Sequence, residues 1–211
     1  MSWSEYFKQE IDQARFDRII GWLTPVMERI QEYGGGKRVL EIGFGTGVLS
    51  VYLSSLGYDV TGIDIDDELI KKAVELNGQF KGKAKFIKQD MFCLPGDKLY
   101  DFAFHQGTME HFEVEGIQKA LREQLKVCKR VIFSVPSDIY AQQDFGDERL
   151  FSYKEWLDIL KEFKILDSFG YHRKANVLAK LLAPLMVMNH DLFGELSKRY
   201  LATQLGFVIE R

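Results

Sequence analysis

Apolar positions near the start of the chain recur every three or four residues, from about Trp3 to Tyr33. This spacing is typical of helices that bury one face. Pro25 suits the first turn of a second helix in this region, and Gly34-Gly35-Gly36 is expected to end that helix. We therefore predict a helical extension over residues 1–36, followed by one domain over residues 37–211.

A different pattern runs from Lys37 to Pro136, where short apolar runs alternate with helical periodicity. Alternation of this kind predicts parallel strands joined by right-handed helical crossovers, hence an α/β fold with a doubly wound, mostly parallel sheet and helices on both faces. The predicted strands are 37–42, 58–65, 84–88, 100–105 and 130–135, and the predicted helices are 46–56, 67–77 and 114–128. Gly57, Asn77-Gly78 and Pro136 are expected to end their elements.

After Pro136 the alternation of strands and helices is less regular. Ser152 and Glu155 form a capping-box pattern that predicts a helix from Ser152 to Phe163, and residues 164–171 are expected to form a strand. Two helical pieces, 175–188 and 191–198, predict a helical insertion at about 174–198. The segment YLATQLGFVIER is predicted to be the last strand.

Composition narrows the classes of function. A net charge of -3 argues against a dedicated nucleic-acid binder, which would carry clustered Lys and Arg. Cys93 and Cys128 are far apart and form no metal or redox motif. No apolar stretch is long enough to span a bilayer, and the first residues lack an apolar signal core. We expect a cytoplasmic protein without a membrane partner.

The most informative segment is VLEIGFGTG, residues 39–47. A strand here enters a turn containing Gly43, Gly45 and Gly47, and a helix follows. Glycines let a ligand approach the backbone, and the helix N-terminus supplies free N–H donors. In an open α/β sheet this turn lies at the carboxyl end of a central strand, where ligands bind.

The residues around this turn indicate which ligand it binds. The dinucleotide pattern G-x-G-x-x-G is absent, because Val48 stands where its third glycine would be. Glu41, two residues before Gly43, would repel a pyrophosphate but would attract an ammonium group. S-adenosylmethionine carries an ammonium and a sulfonium, and it is the ligand we expect.

Two further acids follow at the intervals that a nucleoside ligand requires. Asp64, in VTGIDID, is spaced from Gly43 so that its carboxylate can bind ribose hydroxyls. Asp90, in KFIKQDMF, can accept a hydrogen bond from the adenine amino group while Met91 covers the ring. Ile65 and Gln106 complete the predicted set of cofactor contacts.

These motifs, with YDFAFHQGTMEHF after the fourth strand, resemble those of the class I S-adenosylmethionine-dependent methyltransferases, in particular the branch that acts on small molecules. The resemblance covers residues 37–136, about half of the chain. It implies a seven-stranded sheet whose last strand is antiparallel, and an N-terminal helix, carrying Tyr6 and Phe7, that closes over the cofactor as a lid. It also implies transfer of a methyl group to an oxygen, nitrogen or carbon nucleophile.

Candidate residues for the acceptor side lie after the fourth and fifth strands. His111 can take a proton from an acceptor, although a purely structural role is an equally open alternative. Tyr140, Asp144, Phe145 and Arg149 lie in a long loop at the ligand edge of the sheet and are candidates for substrate contacts. The spacing of His105, Glu110 and His111 matches no zinc motif, so we predict no metal.

The acceptor is expected to be a small molecule. His105-Gln-Gly-Thr stands where adenine and glutamine methyltransferases of the same class carry an Asn-Pro-Pro-Tyr-like motif. Two alternatives remain open. One is a nicotinamide-dependent oxidoreductase, and the other is a protein that binds S-adenosylmethionine without turnover.

Overall fold

The computed structural model describes residues 2–97, 99–140, 145–173, 182, 184–186 and 189–211. Seven strands form one sheet: β1 (Arg38–Ile42), β2 (Asp59–Asp64), β3 (Lys85–Lys88), β4 (Phe102–Gln106), β5 (Arg130–Pro136), β6 (Lys164–Arg173) and β7 (Ala202–Glu210). The described helices are α1 (Trp3–Tyr6), α2 (Gln13–Trp22), α3 (Thr24–Tyr33), α4 (Val48–Ser55), α5 (Asp67–Gln79), α6 (Val114–Val127), α7 (Tyr153–Ile159) and α8 (His190–Tyr200).

The strand order is β3-β2-β1-β4-β5-β7-β6. The first five strands in this order, β3, β2, β1, β4 and β5, are parallel to one another. Strand β7 runs antiparallel to both β5 and β6. This arrangement confirms the predicted seven-stranded, doubly wound sheet with an antiparallel last strand.

Both faces of the sheet are covered by helices. Leu40 and Ile42 of β1 belong to a core that α6 and α7 complete, whereas Val39 belongs to a core on the opposite face with α3 and α4. Side chains alternate between the faces of a strand, so Glu41 lies on the same side as Val39, against α4. The sheet therefore directs this carboxyl group toward the helix that follows the glycine turn.

The N-terminal helices differ from the prediction in one respect. The pattern from Trp3 to Tyr33 predicted two helices, but residues 7–12 interrupt the first one. The Asp12 carboxylate accepts a hydrogen bond from the Arg15 N–H and starts α2 as an N-cap. The break leaves α1 as a separate short helix that can pack on the site. Whether residues 1–36 act as a lid stays a prediction.

Several other boundaries were predicted wrongly. Helix α7 ends at Ile159 rather than at Phe163. Helix α5 continues through Asn77-Gly78 to Gln79, because Lys81, with a φ of 54°, takes the left-handed position after it. Pro136 is the last residue of β5 and pairs with Gln204. The helix after the glycine turn begins at Val48, not at Thr46.

Most of the expected insertion lies outside the described residues, which include 182, 184–186 and the segment from 189 onward. The predicted helix 191–198 is present within α8. In the described part of the chain, no helix combines the length and the apolar character that crossing a membrane requires.

Gly47 and Gly78 provide a matched test of the turn that positions the site. Gly47 has a φ of 76°, and an added Cβ would lie 2.9 Å from Cβ of Ala73, whereas Gly78 is helical with nothing within 4 Å. We expect Gly47→Ala to lower the free energy of unfolding by about 1–3 kcal/mol. Gly78→Ala should raise it by about 0.5–1 kcal/mol. Urea unfolding of both variants gives the comparison, and equal stabilities would contradict it.

Candidate active site

A cavity of about 580 Å³ lies at the carboxyl ends of β1, β2 and β4. Its wall includes the glycine turn, the segments that follow β2, β3 and β4, and residues from the helices that precede β1. Ligands of open α/β sheets bind at this edge, and the volume suits a small ligand or cofactor.

The glycine turn forms the floor of the cavity. Gly43 and Gly45 have φ angles of 61° and 53° and both line the cavity. A Cβ on Gly43 would come within 3.0 Å of the Thr108 side chain, and one on Gly45 within 3.0 Å of the Phe7 ring. Gly47 is not among the lining residues and serves the turn itself, because it packs toward α5. Of the three predicted glycines, two therefore face the cavity.

Glu41 is buried in the cavity wall. The Ser50 hydroxyl, on α4, donates a hydrogen bond to its carboxyl group. Burial raises the pKa of Glu41 to about 8, against the opposing effect of Ser50. A cation beside this group would stabilise its charged form, so Glu41 is well suited to an ammonium ligand.

Asp64 ends β2 and also lines the cavity. The N–H groups of Ile65 and Asp66 donate to its Oδ1, at 2.7 and 3.1 Å, and fix the orientation of the carboxylate. Burial raises the pKa of Asp64, and these N–H groups oppose the rise. A fixed carboxylate at this point can accept two hydrogen bonds from a diol.

The remaining predicted cofactor residues also lie in the cavity wall. Asp90, after β3, accepts a hydrogen bond at 2.8 Å from the Phe92 N–H, which forms a tight local turn. Met91 follows Asp90 and packs against the core on the α6 side. Ile65 and Gln106 lie on the segments after β2 and at the end of β4.

His111 reaches the cavity from the 3₁₀ turn after β4 (Met109–His111). Its Nδ1 lies 2.6 Å from Oδ1 of Asp147, and only 11% of its side chain is exposed. The Trp3 ring meets the imidazole edge-on, at 4.8 Å between ring centroids. The imidazole is thus held by a carboxylate on one side and by an aromatic ring on another.

Three of the four residues predicted to contact the substrate are described, and none of them lines this cavity. Phe145 stacks on Trp3 at 4.0 Å, so it supports the cavity wall from behind. The Arg149 guanidinium donates to the backbone oxygens of His111 and Asp147 and pairs with Glu113. Tyr140 donates its N–H to Ser137 in a turn. Asp144 lies outside the described residues.

Sequence reasoning did not select Trp3 or Asp147, although both line the cavity. Trp3 has only an apolar position in a helical pattern as its signal, which is also the signal of a core residue. Asp147 lies in the same long loop as Phe145 and Arg149, but nothing in the sequence distinguishes it from the other acids there. Only the fold brings it to His111.

The described residues include one group of side chains with the composition of a metal site: His111, Asp147 and Glu148, whose ligand atoms lie within 4.8 Å of one another. Two ligands bound to one ion at about 2.0–2.2 Å are separated by about 2.9 Å or more. The 2.6 Å contact between His111 and Asp147 is shorter and is a hydrogen bond.

His105 is fully buried against Phe133, and its pKa is lowered to about 3 by burial.

The fold and the cavity define a class of protein. A doubly wound sheet whose glycine turn lies beside a buried acid, with further acids after the next two strands, is suited to a nucleoside ligand that carries positive charge. Residues 39–130 match the family model described as a methyltransferase domain. The match covers a little under half of the chain, and it supports the predicted class, the class I S-adenosylmethionine-dependent methyltransferases, together with the predicted cofactor.

Curated relatives agree with this identification. A protein of Geobacillus sp. (strain WCH70), named as a methyltransferase, is 29% identical over 69% of this chain and 61% of its own length. A ubiquinone biosynthesis O-methyltransferase of Bordetella avium (strain 197N) is 35% identical over 40% of this chain and 37% of its own length. The chain spans between 16% and 61% of the first curated relatives it matches.

Solved structures support the same fold. An S-adenosylmethionine-dependent methyltransferase from Clostridium acetobutylicum ATCC 824 superposes with a TM-score of 0.66, at 13% identity, over 99% of this chain and 95% of that one. At this identity the match shows the architecture, and the chemistry must be argued from the residues of this chain.

Glu41 gives a prediction on proton release. In the free protein at pH 6.5 a carboxyl group with a pKa of about 8 is mostly protonated. An arriving α-ammonium, itself charged at this pH, lowers that pKa, so binding of S-adenosylhomocysteine should release about one proton. Titration calorimetry in buffers of different ionisation enthalpy measures this release. Glu41→Gln should abolish it, whereas Glu75→Gln, on the exposed face of α5, should retain it. Equal release by Glu41→Gln and the unmodified protein would contradict the role of Glu41.

Proposed function

We propose that the protein transfers a methyl group from S-adenosylmethionine to a small-molecule acceptor that enters the same cavity. The observation that carries this proposal is the pair His111–Asp147, which opens onto the cavity beside the glycine turn. The cofactor supplies an activated methyl group on a sulfonium. The protein therefore has to bind, orient and keep water away, and to handle the acceptor's proton.

The proposed cofactor contacts use the three acids on the floor of the cavity. Glu41 would hold the ammonium group, Asp64 the ribose hydroxyls and Asp90 the adenine amino group, with Met91 and Ile65 on the ring. Burial of the first two acids supports these roles, because each carboxylate is costly without a ligand that carries positive charge or donates hydrogen bonds. Gln106 and the backbone at Gly43 and Gly45 complete the contacts.

His111 is proposed as the group that accepts the acceptor's proton. Asp147 at Nδ1 favours the tautomer with the proton on that nitrogen and leaves Nε2 as the basic atom. Arg149, which donates to the His111 backbone oxygen, helps to hold the turn. This is the arrangement of a base oriented by a carboxylate, and it supports a catalytic role over a purely structural one.

The aromatic residues of α1, together with Phe7 directly after it, support a small acceptor. Trp3 and Phe7 line the cavity, and Phe145 stacks on Trp3 from the loop after β5. Tyr6 makes an edge contact with the same Phe145 ring at 6.1 Å. Together they form a roof that would exclude water from the sulfonium. A roof this close to the glycine turn leaves room for a compact acceptor.

The relatives do not select the acceptor. Their names include ubiquinone biosynthesis, magnesium protoporphyrin, and lysine and the N-terminus of eEF1A. The acceptor class must come from the chemistry of the cavity.

Cofactor choice and turnover test the proposal. We expect calorimetry to detect S-adenosylhomocysteine binding and no NADH binding, because the buried Glu41 can pair with an ammonium group but offers no positive charge to a pyrophosphate. Methyl transfer from radiolabelled S-adenosylmethionine to a pool of small molecules should follow. NADH binding without S-adenosylhomocysteine binding would support an oxidoreductase. Cofactor binding without any transfer would support a binding protein.

His111→Ala tests the proposed base. If Nε2 accepts the proton, kcat should fall by about a hundredfold or more, with little change in the affinity for S-adenosylhomocysteine. His172→Ala is the matched control, since this imidazole lies elsewhere, stacked on Trp22. An unchanged kcat in His111→Ala would show that the reaction depends on positioning alone.

A further inference from the structure

The charged groups of the cavity are unbalanced. Within the described residues, its lining contains four carboxyl groups and one histidine but no lysine or arginine. The proposed cofactor contacts account for Glu41, Asp64 and Asp90. Asp147 is the fourth acid, and it lies on the acceptor side with His111. An acceptor carrying a carboxylate or phosphate would find no positive side chain in this wall.

Two more carboxyl groups lie behind Asp147. Glu148 is buried and accepts hydrogen bonds from the N–H groups of Phe145 and Gly146. Glu110 is 3% exposed, and its Oε2 has no hydrogen-bond partner. Burial and the charges of Glu148 and Asp147 raise the pKa of Glu110 to about 8. Glu110 is therefore mostly protonated at neutral pH, and the negative charge behind His111 belongs to Glu148 and Asp147.

The guanidinium of Arg149 lies beside this group of acids, but its hydrogen bonds go to other groups. The Arg149 guanidinium is directed to backbone oxygens of His111 and Asp147 and to the Glu113 carboxylate. Half of the Asp147 side chain is exposed, so its carboxylate can meet a ligand while it holds His111.

The other neighbours of His111 are aromatic. Trp3 meets its edge, Phe145 lies behind Trp3, and Phe112 follows it in the cavity wall. Aromatic faces combined with carboxylates are a recurrent way of binding organic cations. A divalent metal is a poorer fit, because Asp147 and His111 are hydrogen-bonded to each other at 2.6 Å.

From this juxtaposition we propose that the acceptor is an amine, bound as an ammonium ion between Asp147 and the aromatic roof. The proposal rests on the methyltransferase function proposed above and names its acceptor class.

The direction of charge movement in the reaction favours this class. The ammonium gives its proton to His111 Nε2, and the nitrogen lone pair then forms the bond to the methyl carbon. The sulfur–methyl bond breaks with its electron pair on sulfur, so positive charge moves from sulfur to nitrogen. Acids beside the acceptor stabilise the charge where it arrives. The same acids would oppose the formation of an alkoxide or phenolate.

Three probes with one scaffold test the charge preference: 2-phenylethylamine, 2-phenylethanol and 3-phenylpropanoate. Binding of each to the protein saturated with S-adenosylhomocysteine is followed by calorimetry in phosphate buffer. We expect the amine to bind about tenfold or more tightly than the alcohol, and the acid most weakly. Labelled S-adenosylmethionine should then transfer its methyl group to the amine only.

Asp147→Asn should remove the preference for the amine over the alcohol while the affinity for S-adenosylhomocysteine stays within about twofold. Asp158→Asn removes the same charge from the exposed face of α7 and should retain the preference. Asp147→Asn should also raise KM for the amine more than it lowers kcat, because Asp147 binds the ammonium as well as orienting His111.

Several outcomes would overturn the amine assignment: equal or stronger binding of the alcohol or the acid, no binding of any probe, an unchanged preference in Asp147→Asn, or transfer to the alcohol that requires added Mg²⁺. Each leaves the proposed function standing as long as S-adenosylhomocysteine binds. Loss of that binding in the unmodified protein would instead overturn the proposed function itself.

Discussion

Glu41 places an ionisable group inside the sheet at the point where β1 passes into the glycine turn. Its burial costs free energy, and the Ser50 hydroxyl offsets only part of that cost, since the pKa of the carboxyl group remains about 8. Everything else in the site is arranged around this position. The turn brings α4 and Ser50 against Glu41, and Asp64 and Asp90 follow at the ends of the next two strands. A ligand with positive charge at one end relieves this unfavourable burial, which links the stability of the fold to occupancy.

The doubly wound, mostly parallel sheet and the cofactor side of the site could be predicted because both depend on local patterns. Apolar runs of strand length, a glycine turn and acids at strand ends are all readable within a few tens of residues. The prediction failed where a local signal competes with packing. Asn77-Gly78 has the composition of a helix end, yet Asn77 bonds to the backbone of Ala84 and the helix continues past it. Gly47, predicted to contact the cofactor, is not among the residues that line the cavity, and its positive φ serves the turn, so the contact itself stays a prediction.

The acceptor side was less predictable for a different reason. Asp147 and His111 are 36 residues apart in the chain and meet only because the loop after β5 folds back over the turn after β4. Trp3 is still more remote, and it reaches the same place through the break at residues 7–12. Such contacts have no periodicity that a sequence could display. Phe145 and Arg149, predicted to contact the substrate, lie in this neighbourhood but not in the cavity wall itself. They support the residues that line it.

The position of β7 has a consequence for how the chain folds. Residues 202–210 form the strand between β5 and β6, so Arg130 pairs with a residue 80 positions later. Strand β6 is synthesised before β7, the strand with which it pairs. Until β7 is in place, β5 and β6 each have an edge whose backbone N–H and C=O groups are unpaired. Long-range pairing of this kind slows folding, and the unpaired strand edges can meanwhile pair with other chains. Aggregation during synthesis is therefore expected to be most sensitive to changes in β6 and β7, the strands farthest from the cofactor.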